Sequence, residues 1–362
     1  MRSQHRILDG DARVLAGISD ASVHLVVTSP PYPMIAMWDE VFSALSPQAG
    51  LALAREDGPA AFEAMHQELD RAWAACHRVL VDGGLCCVNI GDATRSLGGR
   101  FALWPNHARI LAGAMGAGFT VLPDILWHKP TNAPNKFMGS GMLPAGAYVT
   151  YEHEYVLVLR KGGGRAFPRP QDKAARQRSA YFWEERNAWF SDLWQGLVGT
   201  RQEGGIGEGA GPEHRAARER SAAFPLELPW RLVQMYSLYQ DLVLDPFGGS
   251  GTTSLAAAMS GRSSCCVEPD PGLRRFARAR LEQAPALGQS RVQRRLQAHQ
   301  DFVAARTALG KSPGHHNAAH DLPVVTAQEA ALELWMPTWS WPVPEGIDLD
   351  HQLVGGPPEL AP

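Results

Sequence analysis

Two short runs in this chain hold residue types that can do chemistry, and they lie far apart: Thr28-Ser29-Pro30-Pro31-Tyr32 near the start, and Asp245-Pro246-Phe247-Gly248-Gly249-Ser250-Gly251-Thr252-Thr253 in the last third. The later run sits between an apolar stretch, Leu242-Val243-Leu244, and a helix-like one. In a doubly wound sheet a ligand binds at the carboxyl ends of the strands. There a glycine-rich turn lets backbone N–H groups approach it, and the next helix adds positive potential. Gly248, Gly249 and Gly251 permit that approach. The apolar strand Ser263 to Val267 then ends in Glu268, about twenty residues after the loop, the spacing at which a carboxylate accepts the two ribose hydroxyls of an adenosine. Three rival loops are excluded by the letters. No Lys follows the glycines as a P-loop requires, Thr252 stands where a nucleophile elbow needs Gly, and Thr replaces the third Gly of a dinucleotide fingerprint. A nucleoside-type cofactor is the expected ligand.

The earlier run ends another apolar stretch. Proline lacks an N–H and fixes φ, so Pro30-Pro31 presents carbonyls in a rigid shape with no adjacent donors. The Ser29 hydroxyl and the Pro30 carbonyl can accept the two hydrogens of an amine conjugated to an aromatic ring, making its nitrogen more nucleophilic. Tyr32 can stack on that ring, as enzymes that extrude a base from a duplex require.

These runs need a sheet to position them. Arg6-Ile7-Leu8 leads through Asp9-Gly10-Asp11 into a predicted short helix over Val14 to Ile18, and Val23 to Val27 reads as a strand buried on both faces. Apolar residues from Phe62 to Leu80 recur at helical spacing and predict a helix over 59–80 that Asp82-Gly83-Gly84 ends. A strand over Leu85 to Ile90, a helix over Asn106 to Met115 and strand-like runs over Phe119 to Trp127 and Tyr155 to Leu159 follow. Asn89-Ile90-Gly91-Asp92 reads equally as a pocket wall or a capped turn. From Arg160 to about Arg220 Gly, Arg and aromatics dominate and regular periodicity disappears. Phe224-Pro225 then opens an amphipathic helix to Tyr239, before strands over Leu242 to Leu244 and Cys265 to Val267 and helices over Thr252 to Met259 and Pro271 to Leu281. A basic helix to Leu309 and a tail rich in Pro, Gly and Trp, expected to pack along the surface or to be partly disordered, complete the chain. The alternation predicts a parallel α/β sheet.

Composition narrows the classes. The 362 residues, 45% hydrophobic and 20% charged, suit one large α/β domain with insertions and exclude wholesale disorder. A net charge of -3 confines any basic surface to a local patch. Cys76, Cys86, Cys87, Cys265 and Cys266 form no C-x-x-C and sit in apolar runs, as buried thiols of a cytoplasmic protein do. No apolar stretch is long enough to span a bilayer, and the charged start is unlike a signal peptide, so no membrane partner is expected. His315, His316 and His320 lack supporting Cys or acid spacing, and no metal is expected.

On these residues the chain resembles the beta-class amino-methyltransferases of DNA, the permuted group in which the catalytic motif precedes the cofactor motif; the resemblance covers roughly residues 5–283. It implies a Rossmann-like, circularly permuted α/β fold, a doubly wound and mostly parallel sheet with an inserted target-recognition region. The cofactor would be S-adenosyl-L-methionine, carried by Asp245, Phe247, Gly248, Gly249, Gly251 and Thr252, with Glu268 on the ribose, Asp11 at the adenine ring and Phe224-Pro225 closing over the methionine end. Ser29, Pro30, Pro31 and Tyr32 fall on the catalytic tetrad. Ser in its first position is typical of N4-cytosine members, although some such enzymes methylate adenine at N6. The implied divisions are a catalytic half over 1–160, a target-recognition region over 161–221, a cofactor half over 222–284 and an extension over 285–362. Within the recognition region Arg and Lys would meet phosphates or guanine, and Asn187 or Gln202 adenine. Duplex DNA is the expected partner, with a restriction endonuclease acting on the same site beside it, in a prokaryotic, nucleoid-associated cytoplasmic setting. A DNA-binding protein of this fold without catalysis would show a broken tetrad or loop, and both are intact.

Overall fold

The structure, a computed structural model, describes residues 1–129, 138–197 and 224–355. Eleven strands among these form one sheet. In chain order they are β1 (Arg2–Leu8), β2 (Val23–Thr28), β3 (Leu80–Ile90), β4 (Phe119–Val121), β5 (Ile125–His128), β6 (His153–Lys161), β7 (Leu193–Trp194), β8 (Leu242–Asp245), β9 (Ser263–Val267), β10 (Trp335–Val343) and β11 (Gly346–Leu353). They lie in the order β7-β5-β6-β3-β2-β8-β9-β1-β11-β10, with β4 also on β6. The five central strands β3, β2, β8, β9 and β1 run parallel. On one side β6 runs antiparallel to β3 and β5 antiparallel to β6, with the two-residue β7 at the edge.

Helices cover both faces. They are α1 (Asp39–Leu45), α2 (Pro47–Ala54), α3 (Gly58–Val79), α4 (Asn106–Gly116), α5 (Pro170–Arg178), α6 (Trp183–Trp189), α7 (Glu227–Tyr236), α8 (Thr252–Ala258), α9 (Pro271–Leu281) and α10 (Ala284–Ala308). Alternation along β2 sends Val26 into one core, with Met65, Leu69 and Trp73 of α3 and Ile110 of α4. Leu25 and Val27 enter the other core, with Trp230 of α7 and Leu255 of α8. In α3 the Asp57 side chain caps Ala60 N at 3.2 Å, Pro59 stands in the first turn, and His77 and Arg78 occupy the last.

Four predicted elements differ. Residues 14–18 form turns rather than a helix: buried Leu15 takes φ 50°, and Arg78 donates to the carbonyls of Val14 and Leu15 that a helix would have used. Asp82-Gly83-Gly84 does not end α3, because β3 begins at Leu80. The glycines form an irregularity inside that strand, between the pairs Val23–Leu80 and Leu25–Leu85. A positive φ serves a bulge as well as a helix stop, and a Cβ on Gly83 (φ 80°) would collide with the backbone nitrogen of Arg165. The basic middle is not irregular throughout. It holds α5, which has no buried residue and hence no apolar stripe to read, and α6, only two turns long. Finally, the tail is no surface strap: β11 pairs with β1 and β10 with β11, extending the central sheet.

The five cysteines are buried and free. His320 is spent on structure, Nε2 accepting from Leu334 N at 2.9 Å, and His316 pairs with Asp321 at the surface. No helix among the described residues is long and apolar enough to cross a membrane.

Candidate active site

Because β1, β2, β8 and β9 are parallel, the loops that follow them gather at one edge of the sheet. They enclose a cavity of about 640 Å³, within the range of small-ligand sites. Its wall includes Asp11 after β1, Ser29, Pro30, Pro31 and Tyr32 after β2, Asp245, Phe247, Gly248, Gly249 and Thr252 after β8, and Glu268 after β9. Phe224 reaches it from the turn before α7; Pro225 and Gly251 do not line it. The two distant runs therefore share one cleft.

Its nucleoside side is built on backbone donors. Glu268 Oε2 accepts Gly249 N at 2.8 Å and Oε1 accepts Asp270 N at 2.9 Å. A carboxylate offers about four lone-pair sites, so capacity remains for two hydroxyls. Burial raises the Glu268 carboxyl above its ordinary range. Gly251 sits at φ 72°, and a Cβ there would lie 2.7 Å from Ala277 Cβ, which explains the glycine without any ligand. Arg280 of α9, buried, donates to Ser250 O at 2.9 Å, Ser250 Oγ at 3.0 Å and Thr252 Oγ1 at 2.8 Å, clamping the loop from behind. Asp11 is held by Arg13, whose Nη2 lies 2.6 Å from Oδ2 and whose Nη1 reaches Glu68 Oε2 at 2.5 Å. Those hydrogen bonds keep the Asp11 carboxyl below its ordinary range. Size, carboxylate and free loop face fit S-adenosylmethionine.

The opposite wall centres on Tyr32. Ser29 Oγ lies 3.2 Å from its hydroxyl, which also contacts Glu154 Oε2 at 3.0 Å and Asn89 Nδ2 at 2.9 Å. Burial, and then the Glu154 charge, push the Tyr32 phenol well up. Asn89, near the end of β3, supports the Tyr32 hydroxyl from behind without lining the cavity, while Asp92 accepts His107 N at the start of α4 and holds the His107 ring at 2.8 Å. Asp92 realises the capped turn, and no residue of the stretch from Asn89 to Asp92 lines the cavity. Asn187 is exposed on α6, and Gln202 lies outside the described residues. Sequence reasoning missed Glu154, Lys129, Arg13 and Arg280. The one available signal for Glu154 was an acid near the start of an otherwise apolar strand run.

A doubly wound sheet whose strand ends bring a glycine-rich nucleoside loop and a proline-fixed aromatic loop into one cleft defines a nucleoside-dependent group-transfer enzyme. More narrowly, a family model described as DNA methylase, of the N6/N4 methyltransferase type, matches residues 23–278, and the chain belongs to that family. It is similar to Type II methyltransferase M.MthZI of Methanothermobacter thermautotrophicus, with 43% identity over 93% of this chain and 92% of the relative. Type II methyltransferase M.MjaI of Methanocaldococcus jannaschii is 46% identical over 75% of this chain and 89% of its own length. Among solved structures, a DNA modification methylase of Thermus thermophilus in complex with S-adenosyl-L-methionine is 36% identical with a TM-score of 0.58, covering 77% of this chain and 95% of that one. PvuII DNA methyltransferase (cytosine-N4-specific), 20% identical with a TM-score of 0.52, over 79% of this chain and 92% of that one, shares the fold. The chain is thus an S-adenosylmethionine-dependent DNA methyltransferase.

Proposed function

We propose that this enzyme methylates the exocyclic N4 amine of a cytosine extruded from duplex DNA, at a specific site. The observation that carries the reading is Ser29, a neutral hydroxyl in the first position of the proline loop, lining the same cavity as Glu268. Bound S-adenosylmethionine supplies an electrophilic methyl group. Asp245, Phe247, Gly248, Gly249, Gly251 and Thr252 form its loop, Glu268 takes the ribose, Asp11 borders the adenine, and Phe224-Pro225 cover the methionine end. Ser29 and the Pro30 carbonyl accept the amine hydrogens, Pro31 stiffens the turn, and Tyr32 stacks on the base. Positioning supplies most of the rate. The segment 161–221 reads the target, its Arg and Lys meeting phosphates. Because M.MthZI and M.MjaI are named Type II methyltransferases, a restriction endonuclease of the same specificity is the natural partner.

Genomic DNA from cells expressing the chain, digested to nucleosides, should contain N4-methylcytosine; N6-methyladenine instead would overturn the choice of base. Ser29→Ala and Tyr32→Ala should each lower methyl transfer about a hundredfold or more with the fold retained by circular dichroism. Full activity in both would remove the assigned roles.

A further inference from the structure

The hydrogen bonds that begin at Ser29 run on past Tyr32 to a charged pair. Ser29 Oγ donates to the Tyr32 hydroxyl at 3.2 Å, and that hydroxyl donates to Glu154 Oε2 at 3.0 Å. Asn89 fixes this direction. Its Nδ2 donates both to the Tyr32 hydroxyl at 2.9 Å and to Glu154 Oε2 at 2.7 Å, so the single phenolic proton is left to point at the carboxylate. Turning the Asn89 amide over would set an oxygen against Glu154; its Oδ1 is buried without a partner among the described residues. Lys129 Nζ, on a half-exposed side chain after β5, lies 2.5 Å from Glu154 Oε1, whose own side chain is 11% exposed. The chain of bonds thus leads from the cavity wall to a cation in contact with water.

We infer that Glu154 receives, through Tyr32 and Ser29, the proton that the target amine sheds as it is methylated. This rests on the proposed transfer to an exocyclic amine and holds for cytosine or adenine. The amine nitrogen bonds to the methyl carbon as the methyl–sulfur bond breaks, and that bond's electron pair stays on sulfur. The amine's surplus proton goes to Ser29 Oγ, the Ser29 proton to the Tyr32 hydroxyl, and the Tyr32 proton to Glu154 Oε2. One sulfonium charge and one carboxylate charge disappear together, and the Lys129 ammonium, on its half-exposed side chain, is left beside a neutral Glu154. Other groups near this wall are less suited to the task. Asn89 cannot be protonated, both Asp92 oxygens face the His107 ring at 2.8 Å, and on Glu154's own strand His153 is engaged with Tyr155 at 3.2 Å. Lys129, the cation facing Glu154, donates rather than accepts. Glu154 acts through Tyr32 and touches no reacting atom, so it is a positioning and proton-accepting group rather than a catalytic residue.

The test is single-turnover methyl transfer by the full chain to unmethylated genomic DNA with labelled S-adenosylmethionine, followed across pH. Glu154→Gln should slow transfer about a hundredfold or more with cofactor and DNA affinities unchanged. It should also abolish the acid-side fall in rate that the wild type shows as its acceptor becomes protonated. Tyr32→Phe, which keeps the ring and removes the relay hydroxyl, should give the same loss, and the double variant no more than either alone; it also carries the test should Glu154→Gln fail to fold. An active wild type beside a Glu154→Gln variant of equal rate, or one slowed yet keeping the acid limb, would overturn the relay alone. A wild type that transfers no methyl to a DNA amine would instead sink the proposed function itself.

Discussion

Thr28 Oγ1 donates a 2.6 Å hydrogen bond to Asp245 Oδ1, joining the ends of two neighbouring parallel strands whose residues are 217 apart in sequence. Both side chains are buried, and Phe247 N donates to the same oxygen at 3.2 Å. One carboxylate oxygen thereby ties the proline loop to the glycine loop. Thr28→Val keeps the shape but leaves that oxygen short of a donor, which should cost about 1–3 kcal/mol and weaken cofactor binding. Thr28→Ser should retain both. Urea unfolding and calorimetric titration with S-adenosylmethionine check this, and unchanged values for Thr28→Val would show that the bond does not matter.

The same carboxyl gives the fold a pH dependence. Burial raises Asp245 from 3.8 to about 6, against the pull of hydrogen bonds from Thr28, Phe247 and Thr253. Between those values the folded chain holds a proton that the unfolded chain releases, so stability from this group is present in acid and declines as pH rises through the interval. Two units correspond to about 3 kcal/mol at most. Asp245→Asn should flatten this part of the stability–pH curve measured by urea unfolding. An identical slope in the variant would assign the dependence elsewhere.

Arg280 offers a separate lever on the cofactor loop. Its guanidinium is buried behind Ser250 and Thr252, whose carbonyl and hydroxyls it holds. Arg280→Lys keeps the charge, but its shorter stem withdraws the donor from the position of Nη1, the one nitrogen that makes all three of these bonds. Affinity for S-adenosylmethionine should fall about tenfold in Arg280→Lys, a change of roughly 1.4 kcal/mol, while DNA affinity measured without cofactor stays constant. Equal cofactor affinity would mean that the loop holds its shape unaided.

Legibility in the sequence followed the range of the interaction. The strand Val23 to Thr28 and the turn Gly248 to Gly251 were readable because an apolar run and a glycine spacing carry their meaning locally. Glu154 was not, since its partner Tyr32 lies 122 residues away and a lone acid at a strand start has an ordinary surface reading. Arg280 carries no local signal, because a basic residue in the last turn suits any helix C-terminus, and only packing of α9 against the loop buries it. The tail was misread for the same reason. Ile347 and Leu349 are core residues solely because β11 finds β1 at the other end of the chain, where Ser3 pairs with Leu349.

The middle segment shows what docking adds to a sequence without periodicity. On α6, Glu185 Oε1 and Oε2 accept Arg295 Nε at 2.6 Å and Nη2 at 2.8 Å, with side chains only 11% and 7% exposed. Beside this pair Glu184 Oε1 lies 2.8 Å from His299 Nδ1, and Glu329 of the tail accepts Trp183 N at 2.8 Å. Together α10 and the tail pin the start of α6, so the C-terminal extension supports the proposed reader of DNA. Removing one partner of a buried pair strands the other's charge, at about 3–5 kcal/mol. Glu185→Gln can keep the hydrogen bonds from Phe182 N and Arg295 Nη2 on its one oxygen, but it removes the charge and sets an NH2 against Arg295 Nε. It should therefore lower the urea midpoint and weaken duplex binding by fluorescence anisotropy while leaving S-adenosylmethionine affinity unchanged. Replacing both members, Glu185→Leu with Arg295→Met, should recover most of the stability. Loss of cofactor affinity in step with DNA affinity would instead mean that α6 and the cleft unfold as one unit.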